Sequence, residues 1–276
     1  MSDRLKLMCV LAHPDDESMG VGGTLARYAT EGVETYLVTA TRGQRGWPAN
    51  PEAYPGPEAL ARRREKELRA AGEVLGLRRI DCLDNMDGEL DQADPQEVVA
   101  QIVAHLRRVR PHVVLTFGPD GAYGHPDHIA ISQFTTAAVV CAADPNYLGD
   151  GQAVAAEPHR VSKLYYRIWS QAEVDKIQAV IGRDGMLVDG VERQLVGWPA
   201  WAVTTRLETA AYWSTAWQAV ACHQSQLKGG YESLAALPEA RLSQLWQQEE
   251  FYRAYSLVNG RRQVETDLFA GLRRNA

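Results

Sequence analysis

The chain has 276 residues, enough for one large α/β domain, with 45% hydrophobic and 23% charged residues, an ordinary globular balance. A formal net charge of −6 and a pI of about 5.7 come with no basic arm or Lys/Arg face, which excludes nucleic acid as an expected partner. No apolar run approaches the length of a bilayer, and KLMCVLA (6–12) is too short for a secretory leader, so a soluble, cytoplasmic protein with no membrane partner is expected.

In chain order, 6–12 reads as a buried strand, 18–32 as a helix stopped by Gly32, and 34–40 as a second strand. A Gly/Pro-rich loop follows at 41–57. Residues 59–76 form an amphipathic helix closed by Gly76. Its arginine run, Arg62 to Arg64, has Glu65 and Glu67 interleaved and reads as a solvated face. A short strand at 80–83, a helix at 95–110, a strand at 112–118 and a helix from 126 to about 142 complete the first half. Further on, 163–169 reads as a strand, and 207–223 and 238–256 as helices.

Strands alternating with helices predict an α/β, Rossmann-like core with a mainly parallel sheet flanked by helices. The expectation is one domain over 1–276, with a catalytic core at 1–143 and a smaller α/β elaboration at 161–276 that shapes the pocket. The loose, Pro/Gly/Ala-rich stretch 144–160 is the expected hinge. Cys9, Cys82, Cys141 and Cys222 are far apart with no CxxC pair, which reads as reduced, mostly buried thiols. Nothing in the sequence decides for or against a homo-oligomer.

Two stretches carry chemistry. AHPDDESMG (12–20) crowds a histidine and three acids against the end of the first strand. GPDGAYGHPDH (118–128) puts two histidines and an acid in four positions after the fourth. The glycines of GVGG (20–23) fall inside a helix, and the turn a dinucleotide fingerprint would need is filled by acids, so an NAD or FAD site is excluded. In a doubly wound sheet the ligand crevice opens at the carboxyl ends of the strands, where strand order reverses. The two clusters can face each other across it. Histidines and an aspartate suit Zn²⁺, bound at about 2.0–2.2 Å, and three protein ligands leave a place for water. A carboxylate left over can take that water's proton. This reading does not say which acid is ligand and which is base. Asp15 or Asp16 could instead cap the following helix, with Pro14 fixing the turn, and His128 could be a packing residue.

AHPDDES together with AYGHPDH resembles the LmbE-like, or PIG-L, family of zinc-dependent de-N-acetylases. The likeness is close from about residue 5 to 140 and resumes at ACHQSQ (221–226). PHVVLTFGPDGAYGHPDH and RREKELRAAGEVLG are similar to the actinobacterial branch that acts on the GlcNAc-inositol of mycothiol biosynthesis and on mycothiol conjugates. The resemblance implies His13, Asp16 and His128 as zinc ligands, with Fe²⁺ suiting the same donors. It implies Asp15 as the general base and His125 as the group that stabilises the oxyanion or protonates the amine. Asp127 would orient or charge His125, Tyr123 would polarise the carbonyl, and Arg64 would contact the sugar. The alternative for Arg64 is an ion pair with Glu65 or Glu67.

The implied substrate is a small N-acetylated amino sugar. Gln44 stands where the mycothiol branch tends to carry an acid, which puts a sugar contact in doubt. Trp47, in the same loop, is the better aromatic substrate candidate. Trp198, Trp201, Trp213 and Trp217 are expected in the core, and Glu17 supports or caps. His223 is read either as reaching the site or as a hydrogen-bonded structural histidine. Two rivals stand beside the deacetylase: a zinc hydratase of an unsaturated carboxylic acid, using Arg42, Arg45 and Arg64 to hold carboxylates, and a non-catalytic sugar-binding protein.

Overall fold

The segment KLMCVL forms β1 (Lys6–Leu11), buried along nearly its whole length. A continuous apolar strand is what a parallel sheet covered on both faces demands. In the computed structural model, which describes residues 4–148, 156–182, 185–188, 190–259 and 263–273, β1 lies between two parallel neighbours. β2 (Glu34–Thr41) pairs on one side and β4 (Val113–Phe117) on the other. β3 (Arg79–Asn85) extends the sheet beyond β2, and β5 (Lys163–Ser170) beyond β4, both parallel. Strand order therefore reverses between β1 and β4. The turns after these two strands flank one crevice, as the sequence predicts.

Helices α1 (Asp16–Thr30) and α2 (Pro57–Leu75) pack together with α7 (Trp213–Cys222). α3 (Pro95–Val109) packs against α5 (Pro126–Ala143), and the one-turn α4 (Gly121–Gly124) leads into α5. The main hydrophobic cluster contains Leu7, Val38, Leu115 and Ile131 from the first half and Tyr165, Leu207, Phe251 and Phe269 from the second. Cys9, Cys82, Cys141 and Cys222 are free thiols. Among the described residues no helix is long and apolar enough to cross a membrane.

The second half departs from the sequence reading. A helix, α6 (Gln171–Ile181), and a small hairpin of β6 (Gly185–Val188) and β7 (Val191–Gln194) were not expected. β8 (Gly197–Trp198) pairs with the end of β5. The predicted helix at 207–223 is shorter, since Thr205–Glu208 is strand β9 and α7 starts at Trp213. The predicted helix at 238–256 is mostly wrong. Only Glu239–Leu242 is α-helical, and Gln248–Ser256 is strand β10, antiparallel to β5 and β9. Of the expected hinge at 144–160, residues 149–155 lie outside the described residues.

Two adjacent glutamates explain β10. Glu249 accepts hydrogen bonds from the Gly23 and Thr24 amides of α1 at 2.9 and 3.1 Å. Glu250 accepts from the Ser170 amide at 2.9 Å and from Arg206 at 2.8 Å. Neighbouring side chains serving different elements fit the period of two of a strand, not a helix. The α1 amides need Glu249 because the helix is kinked at Val21 (φ −142°, ψ 21°). The Gly20 carbonyl there accepts from Arg167 Nε at 2.7 Å. Gly23 is required by close approach, since a Cβ would stand 2.6 Å from Thr209 Cβ. Gly22, where a Cβ would stand 3.0 Å from Ala216 Cβ, and Gly23 thus serve packing.

Glu249→Ala strands two buried amides, and we expect a loss of about 2–3 kcal/mol in urea denaturation, with Glu249→Gln costing less.

Candidate metal centre and active site

The chain leaves β1 through Ala12–Asp15 and enters α1 at Asp16, so α1 begins at the sheet's carboxyl edge. Asp16 does not cap the helix forward. Its Oδ2 accepts backward from the Ala12 and His13 amides at 3.1 and 2.8 Å. Its Oδ1 lies 3.4 Å from His128 Nε2, and His128 Nε2 lies 3.2 Å from His13 Nδ1. His13 Nδ1 is 3.8 Å from Asp16 Oδ2. Bonds of 2.0–2.1 Å in tetrahedral geometry require donor atoms about 3.3 Å apart. The 3.2 and 3.4 Å separations are close to that spacing, while the 3.8 Å contact runs to the Asp16 oxygen that already accepts two amides. Two imidazoles and a carboxylate are donor types that suit a divalent cation. His128 is fixed by stacking on Phe117, with ring centroids 3.9 Å apart and planes within 5°.

The other nitrogen of His13 is held by two carboxylates. Nε2 lies 3.0 Å from Asp127 Oδ2 and 3.1 Å from Asp87 Oδ1. Both acids are anchored by backbone amides, Asp127 by Gly88 and Leu90 and Asp87 by Arg45 and Gly46. Such carboxylates fix the ring and its tautomer and leave Nδ1 as the free donor. Two donor groups gather within 4.8 Å among the described residues, His13–His125–His128 and His13–Asp87–Asp127, and Asp16 is in neither. In the second, the acids already face the His13 N–H and backbone amides. Burial lowers the His13 pKa, but Asp87 and Asp127 outweigh it and hold the pKa well above the ordinary value.

The Asp127 carboxylate thus turns to His13 and not, as expected from the sequence, to His125. Its link to His125 is its backbone N–H, which donates to Nδ1 at 3.1 Å. Burial, then His13 and His128, push the His125 pKa down to about 3. Tyr123 stands edge-on to His125 and His128, and burial keeps its phenol well above its usual pKa.

Asp15 sits at the N-cap position but makes no side-chain cap. Its backbone is left-handed at φ 116°, a strained conformation for a residue with a Cβ. The carboxylate is buried against Arg64 Nη2 at 3.3 Å and accepts from Tyr231 Oη at 3.1 Å. Burial raises its pKa although Arg64 opposes the shift. The Asp15 amide donates to Glu17 Oε2 at 3.0 Å, and Glu17 Oε1 meets His223 Nε2 at 2.7 Å, both residues fully buried. His223 therefore supports the acidic turn from behind. The rest of ACHQSQ acts alike: Ser225 donates to Glu67, and Gln226 to the Gly46 carbonyl at 2.7 Å.

Arg64 is neither on the surface nor paired with Glu65 or Glu67. It is 3% exposed and donates to the Pro14 and Gly43 carbonyls, while its Nε has no partner. The Gln44 side chain accepts from the Arg42 amide and donates to the Asn85 carbonyl, bracing the loop. Trp47 is half-buried, donates to the Asn50 carbonyl and lies under Arg63. Trp213 and Trp217 pack in a secondary core with Trp246, whereas Trp201 is 80% exposed, against expectation. Asp87 and Tyr231 were missed. Asp87 stands alone in DNMDG and Tyr231 in LKGGYES, with no histidine beside either to mark it.

Histidines and buried carboxylates at the switch point of a parallel sheet, with a further carboxylate beside them, define a candidate metal-dependent hydrolase. Residues 8–139 match the family model described as PIG-L, GlcNAc-PI de-N-acetylase. The 1D-myo-inositol 2-acetamido-2-deoxy-alpha-D-glucopyranoside deacetylase of Kineococcus radiotolerans is 34% identical over 97% of this chain and 83% of its own. The mycothiol S-conjugate amidase of Streptomyces coelicolor is 31% identical over the whole of both chains. The chain belongs to the PIG-L family and is an amide-cleaving enzyme. Among solved structures, the N,N'-diacetylchitobiose deacetylase of Pyrococcus horikoshii aligns with TM-score 0.65 and 20% identity over 91% of this chain and 84% of that one. The 4-carboxy-2-hydroxymuconate hydratase GalB of Pseudomonas putida KT2440 aligns with TM-score 0.65 and 18% identity over 93% and 99%. These two likenesses speak to fold alone.

Arg64→Ala should cost about 3 kcal/mol or more in urea denaturation, because Asp15 loses its buried cation. The exposed Arg62→Ala should stay within about 0.5 kcal/mol.

Proposed function

We propose that the chain hydrolyses the N-acetyl, or more broadly N-acyl, amide of a small amino-sugar substrate such as a GlcNAc derivative. A divalent cation, Zn²⁺ in the first instance, would be held by His13, Asp16 and His128. Fe²⁺ suits the same donors. The observation that carries this reading is the Asp15 carboxylate. It sits beside the donor set on a strained backbone and is tied to Arg64 and Tyr231.

When bound, such a cation supplies an acidified water and a Lewis acid for the amide carbonyl. Asp15 takes the proton of the attacking water and returns it to the departing amine. Arg64 and Tyr231 fix the carboxylate for this exchange. Tyr123 offers a phenolic O–H to the developing oxyanion. His125 accepts the Asp127 amide at Nδ1, so its Nε2 carries the hydrogen and donates to the same oxygen. Asp87 and Asp127 hold the His13 ring in the tautomer that presents Nδ1. The names of the relatives support an N-acetylglucosamine-type amide linked to inositol or a thiol conjugate.

The hydratase reading needs cations free for substrate carboxylates. Arg42 already faces Asp84 and Glu65, Arg45 faces Glu89, and Arg64 faces Asp15. A sugar-binding protein without turnover has no use for a strained carboxylate outside the donor set.

The test is acetate and amine release by the zinc-loaded protein from GlcNAc, a GlcNAc-inositol, diacetylchitobiose and an N-acetylcysteine conjugate. Turnover should appear on at least one, fall about 10²–10⁴-fold in Asp15→Asn, and stop on chelation. A zinc-loaded protein that releases acetate from none of them sinks the assignment. Asp127→Asn should weaken zinc affinity about 10–100-fold in a chelator competition, with the fold retained.

A further inference from the structure

A cavity of about 200 Å³ adjoins the donor set. Asp16, His128, Tyr123 and Tyr231 belong to its wall, with residues of α1, β5, α6 and the segment before β10. Met19, Trp169, Ile177, Leu234, Leu245 and Trp246 give it an apolar lining. Two charged residues also border it, and both are engaged. Glu249 accepts from the α1 amides, and Arg167 donates to the Gly20 and Glu250 carbonyls while lying 4.2 Å over Trp169. An apolar cavity of about 150 Å³ is large enough for a benzene ring. The single methyl of an acetyl group would leave most of this space unfilled.

We propose that the site takes an amide whose acyl group is larger and more apolar than acetyl, an unbranched chain of about six to eight carbons seated in this cavity. The inference rests on the amide-hydrolase reading given above and names the acyl half of its substrate. The wall residues favour the acyl half. Tyr123, the proposed donor to the carbonyl oxygen, lines the cavity together with the proposed ligands Asp16 and His128, so a carbonyl held by them has this space beside it. The proposal places the carbonyl at this wall and the group attached to its carbon in the cavity, and the hexyl glycoside tests the opposite orientation. Burying each added methylene favours the longer acyl group.

The experiment compares kcat/KM of the zinc-loaded protein for N-acetyl- and N-hexanoylglucosamine, and for the hexyl glycoside of N-acetylglucosamine, by amine release. The expected result is at least a tenfold preference for hexanoyl over acetyl, with no comparable gain from the hexyl glycoside. Ile177→Trp, which fills the cavity, should bring the hexanoyl-to-acetyl ratio towards one. A second measurement does not depend on that variant folding: hexanoate should bind the unaltered zinc-loaded protein at least tenfold more tightly than acetate by calorimetry. Turnover of the acetyl substrate with no hexanoyl preference and equal binding of the two acids overturns this inference and leaves the hydrolase intact. A gain confined to the hexyl glycoside overturns it too, by placing the apolar group on the amine side. Absence of turnover on every amide overturns the hydrolase reading and this one with it.

Discussion

Five carboxylates, those of Asp15, Asp16, Glu17, Asp87 and Asp127, are gathered at one end of a parallel sheet, all buried or nearly so. Acids so close together and so far from water repel one another, and burial alone favours their neutral forms. Much of the nearby structure answers that problem. Arg64 crosses from α2 to reach Asp15, His223 comes from the far end of the chain to Glu17, and His13 stands between Asp16, Asp87 and Asp127. Backbone amides from three loops supply the remaining hydrogen bonds. A divalent cation at the open face of His13 would complete the neutralisation. The acid excess is thus explained by demand for positive charge.

The same constraint explains the packing of α1. The helix must start at the edge of the sheet to deliver Asp16, yet its kink at Val21 breaks its own hydrogen-bond ladder. Arg167 from β5 and Glu249 from β10 hydrogen-bond to backbone groups around the kink. These are residues of the second half acting on the first. The catalytic turn is consequently braced by strands that carry none of its proposed catalytic groups.

The half of the molecule legible in sequence is the half with local signals. β1 and β4 are continuous apolar runs, and each ends in a dense His/Asp cluster, so order, crevice and most of the site can be read directly. Asp87 and Tyr231 could not be, because Asp87 sits in the turn after β3 and Tyr231 ends a distorted helical segment at Leu227–Tyr231, and the path of each is set by tertiary packing. β10 was read as a helix because QQEE favours helix by intrinsic propensity. The Glu249 and Glu250 contacts override that preference, and no local pattern reports contacts to α1 and Arg206. By its residue pattern Arg64 is one cation among several on a solvated face, and only the family resemblance sets it apart, as a sugar contact. Only the fold shows that its turn of α2 faces inward under Asp15.

Reaction and substrate choice are carried by different parts of this chain. The proposed ligands, base and oxyanion donors all come from turns after β1 and β4, where hydrogen bonds to backbone amides fix positions closely. The cavity that would select the acyl group shares Asp16, Tyr123 and His128 with the site, and much of its remaining apolar wall comes from α6 and from residues 230–249, which pack in part with α7 in the secondary core. Exchanging Ile177 or Leu245 for a smaller or larger apolar residue changes cavity volume without touching the acid network, because neither residue is hydrogen-bonded to it. Altering Asp15 or Asp127 disturbs charges that every neighbour has been arranged to balance. Relatives with this fold can therefore share a reaction while differing in what they bind, and a relative's substrate is a weaker guide to this chain than the shape of its own cavity.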